Sequence, residues 1–131
     1  VQTCALPICI SRLNGIKILI RGNHDRLSLE FLREQCGFKE VHSQYILTAL
    51  PRPILMCHDP VNTLYWSKSI AGSIPPLLLN GHIHNIAEYS SCDSTKKISI
   101  NVSVDVTDFY PVTYEELLKR EERYKIRCFT E

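Results

Sequence analysis

Short apolar runs, each closed by a polar cluster, set the rhythm of this chain. Asn14-Gly15 marks a turn, and the Ile16-Lys17-Ile18-Leu19-Ile20 run after it predicts a buried strand ending at Arg21-Gly22-Asn23-His24-Asp25. Ser28 can then cap a short helix whose Leu29, Phe31 and Leu32 share one face until Gly37 stops it. Residues 41–50 alternate imperfectly and predict an irregular strand. Pro51-Arg52-Pro53 turns the chain into Ile54-Leu55-Met56-Cys57, a second buried strand that ends at His58-Asp59-Pro60. Residues 61–76, with Trp66, Gly72 and Pro75-Pro76, predict a loop near the site with one helical turn. Leu77-Leu78-Leu79 is a third strand, ending at Asn80-Gly81-His82-Ile83-His84-Asn85. A polar turn over 90–97 leads into Ile98 to Val106, whose period of two predicts a half-buried strand. Pro111-Val112-Thr113 opens a last helix, with Thr113 and Glu116 as a capping box and Leu117 and Leu118 on its inner side.

Composition places this pattern in one soluble globular domain: 131 residues, 44% hydrophobic and 22% charged. No apolar stretch approaches the ~20 residues of a membrane-spanning helix, so no membrane partner is expected. The net charge of +1 advertises no polyanion-binding surface. Lys96-Lys97 and Lys119-Arg120 are read as solvated surface, so nucleic acid is compatible with the chain but not indicated. Cys4, Cys9, Cys36, Cys57, Cys92 and Cys128 are irregularly spaced and include no C-x-x-C pair, which points to reduced thiols. With no export signal at the N-terminus, a cytoplasmic location is the default. Residues 1–9 show no clear helical or strand period and are set aside as a non-native-looking segment, leaving 10–131 as the domain.

The chemistry lies at the strand ends. Gly22-Asn23-His24-Asp25, Cys57-His58-Asp59 and Gly81-His82-Ile83-His84 each close a strand, and four of the five histidines fall there; His42 does not and is given a surface role. Strand ends of an α/β layer bring distant residues to one edge, where ligand crevices form. Imidazole nitrogen and amide oxygen suit divalent Mn, Fe, Zn or Ni, and thiolate-rich structural zinc fits poorly. His82 and His84, one residue apart, can project to the same side of an extended segment and reach one ion or two neighbouring ions. Gly22 and Gly81 would permit unusual backbone angles and close approach of ions and phosphate.

These three clusters, in order and separation, resemble the third, fourth and fifth motifs of the calcineurin-like metallophosphoesterases. Asn101-Val102-Ser103-Val104-Asp105 and the helix after Pro111 are similar to those of small bacterial and phage members, and the likeness runs from about residue 10 to 125. The resemblance implies an α/β fold, the C-terminal part of a four-layer αββα sandwich incomplete at its N-terminus. It implies hydrolysis of a phosphoester, a small molecule or nucleotide, by water activated between two divalent ions. Asn23, His58 and His82 would hold one ion and His84 its neighbour. His24 would protonate the leaving-group oxygen, and Asp25 would orient its imidazole. The Asp-x-His and Gly-Asp motifs that open the family are missing from the chain. A truncated chain is therefore expected, holding at most one ion weakly and showing little activity alone.

Two other classes compete. A catalytically inactive module that binds phosphate or a partner would account for the missing carboxylates in a complete chain. A structural zinc site would not need the additional His24 and Asp25. Trp66 and Tyr65 are assigned to packing, Asp59 to ending its strand, and Asp105 and Asp108 to surface or turn positions outside catalysis. Cys57, on a buried strand, is not assigned a nucleophile's role. Substrate, metal identity and oligomeric state are not encoded in any readable motif.

Overall fold

A computed structural model of the chain describes residues 5–70, 72–92 and 94–130. It is a mixed α/β structure with two sheets, and it divides into two compact units between Ser43 and Gln44.

The smaller unit begins with helix α1 (Ala5–Ser11), which corrects the expectation of an aperiodic segment up to residue 9; the first four residues of that segment lie outside the described ones. Pro7 falls in the first helical turn, where its missing N–H breaks no intrahelical bond. Strands β1 (Ile18–Ile20) and β2 (Glu40–His42) pair in parallel, Leu19 opposite Val41. Between them the Ser28 hydroxyl accepts from Phe31 N–H at 3.1 Å, as a cap should, and the chain winds into a π-type turn over Phe31–Gln35. Gly37, at φ 75°, ends it, a left-handed conformation that suits glycine. Leu32, Cys36 and Phe38 form the core here, with Ile10, Leu19 and Val41 packed around them.

The larger unit is built on five strands: β3 (Gln44–Leu47), β4 (Ile54–Cys57), β5 (Leu77–Asn80), β6 (Tyr89–Cys92) and β7 (Lys97–Asn101). Their order is β3-β4-β5-β7-β6, with β4, β5 and β7 parallel and antiparallel strands at both edges. Ile54, Leu77, Leu79, Ile98 and Ile100 pack with Leu117 and Tyr124 of helix α3 (Tyr114–Phe129). Leu55, Cys57 and Leu78, the alternate positions, pack with Leu64 of helix α2 (Pro60–Trp66) and with Ile70. The sheet is thus covered on both faces, and the run of leucines in β5 is buried at every position.

Four expectations are corrected in these two units. The strand predicted over 41–50 is two strands of different sheets, separated at Ser43. The loop predicted over 61–76 opens with α2, because Asp59 accepts from Val61 N–H at 2.8 Å and Asn62 N–H at 3.3 Å while Pro60 takes the first helical position. The polar turn over 90–97 contains β6, and the hairpin to β7 closes through Thr95 N–H to Cys92 O at 3.2 Å. The half-buried strand over 98–106 is instead β7, buried from Ile98 to Asn101, followed by a single 3-10 turn at Val104–Val106. Its polar positions are buried because they are bonded: Asn80 Nδ2 donates to Ser99 Oγ at 2.8 Å. No helix among the described residues is long and apolar enough to cross a membrane.

Candidate functional site

In the larger unit, β4 and β5 are parallel neighbours, so the residues that follow them emerge side by side. His58 O accepts both Gly81 N–H at 3.1 Å and His82 N–H at 3.0 Å, continuing the pairing past the strands. This brings His58 Nε2 and His82 Nδ1 to 3.0 Å, with ring centroids 4.8 Å apart and the rings edge-on at 72°. Two bare imidazole lone pairs facing each other repel, so a shared hydrogen or a shared cation belongs between them. Nitrogens about 2.0–2.1 Å from one ion, at angles of about 90–110°, stand about 2.9–3.4 Å apart, and the observed separation fits that range. Asn80, which precedes this turn, is buried, and its Oδ1 has no hydrogen-bond partner among the described residues.

His84 is presented differently. It takes a left-handed backbone at φ 47°, uncommon for a residue with a Cβ. Asn101 holds the turn: from the buried end of β7 its Nδ2 donates to His84 O at 2.6 Å and Ala87 O at 2.8 Å, and its Oδ1 accepts Ser103 N–H at 2.9 Å. The His84 ring, 72% exposed, meets Asp105 Oδ2 through Nδ1 at 3.1 Å. The Ser103 hydroxyl donates to the same oxygen at 2.9 Å. Hydrogen bonds from Ser103 and then from His84 hold the Asp105 carboxyl below its ordinary value, against a smaller opposing effect of burial. Asp105, assigned to the surface outside any site, therefore stands beside a candidate ligand. Nothing in the spacing signals the grip of Asn101 on the His84 turn, although Asn101 and Asp105 fall in one segment of the resemblance.

In the smaller unit, Asn23 and His24 are exposed on the turn after β1. Asp25 Oδ2 accepts Gly22 N–H at 2.7 Å, and its main-chain oxygen accepts from the Arg21 guanidinium. The carboxylate thus closes its own turn, a local use common for Asp. Gly22 and Gly81 do not have the unusual angles expected of them; the positive-φ glycines among the described residues are Gly15 and Gly37. A Cβ built at Gly81 would meet nothing within 4 Å. His42 lies 2.8 Å from Glu40 Oε2, half-buried rather than free on the surface.

The flanking assignments divide. Burial pushes the Cys57 thiol up, with Asp59 adding to the rise and a bond to Thr63 opposing it, which leaves it a poor nucleophile. Tyr65 is 66% exposed and does not pack as expected, while Trp66 lines a cavity of about 420 Å³ with Tyr45, Ile46, Leu55 and Ile70. Lys97, expected to be solvated, donates to Ser67 O at 2.9 Å and Oγ at 3.1 Å. Cys9, Cys36, Cys57, Cys92 and Cys128 are free thiols. Among the described residues no three His, Cys, Asp or Glu side chains come together as ligands of one ion would; the larger unit offers the His58–His82 pair.

No family model matches the chain. Over 117 residues it is 29% identical to an uncharacterised protein of Methanocaldococcus jannaschii, an alignment covering 87% of this chain and 54% of that protein. It is similar in structure to a protein of unknown function from Aquifex aeolicus, with a TM-score of 0.65 and 27% identity over 87% of this chain and 66% of that one. The chain spans about half the length of the curated relative it matches.

Proposed function

We propose that this chain belongs to a divalent-metal-dependent phosphoester hydrolase of the calcineurin-like kind, with the four-layer αββα sandwich of that family. The observation that carries the reading is the approach of His58 Nε2 and His82 Nδ1 to 3.0 Å at adjacent parallel strand ends. The order of the three histidine clusters along the chain supports it further. On this reading His58 and His82 are ligands of one ion and His84 of a second, with Mn, Fe, Zn or Ni as candidates, and Asn23 is a further ligand only as the resemblance implies it. Bound divalent ions would supply Lewis acidity toward phosphoryl oxygens and make water acidic enough to serve as nucleophile at neutral pH.

The chain's own residues do the rest. His24 is the general acid that the resemblance implies, giving a proton to the departing oxygen. Asn101 keeps the turn that carries His84 in place through its two bonds to main-chain oxygens. Substrates on this reading are phosphomonoesters or phosphodiesters, nucleotides among them. A second reading is an inactive module of the same fold that binds phosphate or a partner through the His58–His82 pair.

Calorimetric titration with Mn or Zn, paired with hydrolysis of an aryl phosphodiester, separates the two. Metal binding with metal-dependent turnover supports the hydrolase. Binding without turnover supports the module, and no binding at all sinks the metal assignment.

A further inference from the structure

We infer that Asp105 is the positioning residue for His84, fixing its imidazole with hydrogen on Nδ1 so that Nε2 faces outward as the nitrogen that takes a cation. The inference rests on the hydrolase reading only for the identity of that cation. An ionised carboxylate can only accept, so the 3.1 Å contact of Asp105 Oδ2 with His84 Nδ1 requires the ring to carry its hydrogen there. In a neutral ring the lone pair is then on Nε2.

Three further features favour a built arrangement over a chance surface contact. Ser103 Oγ donates to the same Oδ2 at 2.9 Å, so the carboxylate is itself aimed. His84 is held at φ 47° by Asn101, whose amide grips His84 O at 2.6 Å from a fully buried position. Backbone strain of this kind persists where the surroundings fix it and marks functional turns. The ring is 72% exposed, which leaves Nε2 open to a ligand. A carboxylate behind an imidazole is how ligating histidines are commonly oriented, and removing such a partner lowers metal affinity about 10-fold to 100-fold.

Nitrogen and carbon NMR of the metal-free chain, labelled at histidine, reads the tautomer of His84 directly. Wild type is expected in the Nδ1–H form. Asp105→Ala should move it toward the Nε2–H form that an unrestrained histidine side chain favours, while Asp105→Asn, which keeps an acceptor oxygen, should hold more of the Nδ1–H form. In parallel, the Mn concentration that broadens the His84 ring signals should rise about 10-fold to 100-fold in Asp105→Ala and less in Asp105→Asn. A wild-type ring in the Nε2–H form, or a tautomer indifferent to Asp105→Ala, overturns the inference whatever the metal does. A tautomer that shifts as expected in a chain that binds no Mn upholds Asp105 as the positioning residue and overturns the hydrolase reading instead. His84 ring signals that Mn broadens equally in wild type and Asp105→Ala, or in neither, overturn the role of Nε2 as ligand.

Discussion

Replacing Glu121 by Gln tests how the larger unit is held together at the end of the sheet where β4 and β5 begin. Glu121, on α3, meets the Arg52 guanidinium through two bonds, Nη1 to Oε2 at 2.5 Å and Nη2 to Oε1 at 2.8 Å, and Lys125 Nζ lies 3.0 Å from Oε1. The Arg52 and Glu121 side chains are 20% and 9% exposed, so the pair belongs with buried rather than surface ion pairs. A surface pair would contribute about 0.2–1 kcal/mol, whereas removing one partner of a buried pair costs about 3–5 kcal/mol. Arg52 would keep its Nε bond to Pro75 O at 2.7 Å, and Gln would keep one acceptor, which puts Glu121→Gln at the low end, about 3 kcal/mol. For a domain of this size that is roughly 10 °C in Tm. Burial pushes the Glu121 carboxyl up, but bonds to Arg52 and Lys125 outweigh it and hold it below its ordinary 4.5. A depressed folded pKa stabilises above the unfolded value and is lost as pH falls through the folded one. The gap between wild type and Glu121→Gln should therefore be full at neutral pH and close below about pH 4.5. Urea unfolding followed by Trp66 fluorescence reads it, since Trp66 is the single tryptophan and lies in the larger unit. A loss under about 1 kcal/mol at pH 7 would refute the buried-pair reasoning. So would an Arg52→Met, Glu121→Leu double variant no more stable than the worse single one.

Three further outcomes bear on the candidate site. His82→Ala should weaken Mn or Zn binding by at least about tenfold while leaving the unfolding midpoint little changed, and calorimetry alongside urea unfolding distinguishes loss of a ligand from loss of the fold. On the hydrolase reading, His24→Ala should lower turnover about 100-fold to 10,000-fold for an alkyl phosphoester and much less for a nitrophenyl ester, whose leaving group needs no proton; equal losses would remove the acid role. Asn101→Ala should destabilise by about 2–4 kcal/mol, because three bonds at the buried end of β7 are lost together, and hydrogen exchange should show the turn from His84 to Ala87 opening first.

Apolar runs were legible where both neighbours in the sheet are local in kind. Ile54–Cys57 and Leu77–Asn80 emerge as strands with the boundaries their composition suggests, since an unbroken apolar run between turn residues has few other ways to be buried. Polar alternation misled in β7. Ser99 and Asn101 look like solvent-facing positions, but both are buried, because Asn80 bonds one and the turn at His84 bonds the other. Helix α2 is hidden for a related reason: its start depends on the Asp59 carboxylate capping Val61 and Asn62, whereas the sequence reading gives Asp59 only the ending of its strand.

The same distinction between local and distant partners governs the site. His58 and His82 are joined in the sequence by strand-end placement and the resemblance, and in the structure they meet because parallel neighbouring strands release their ends together, with one carbonyl, His58 O, receiving both Gly81 and His82 N–H. The partner of His84 could not be found that way. A strand-like reading of Gly81 to His84 sends His82 and His84 to the same side, whereas the left-handed backbone at His84 turns its ring toward the 3-10 turn at Val104–Val106. That backbone is stable because a side chain seventeen positions away, Asn101, holds the carbonyl of His84. Sequence spacing carries no trace of such a bond. The two histidines of one motif are therefore oriented by different means, one by its neighbour across parallel strands and one by a carboxylate, and replacing Asp105 should disturb His84 while leaving the His58–His82 contact intact.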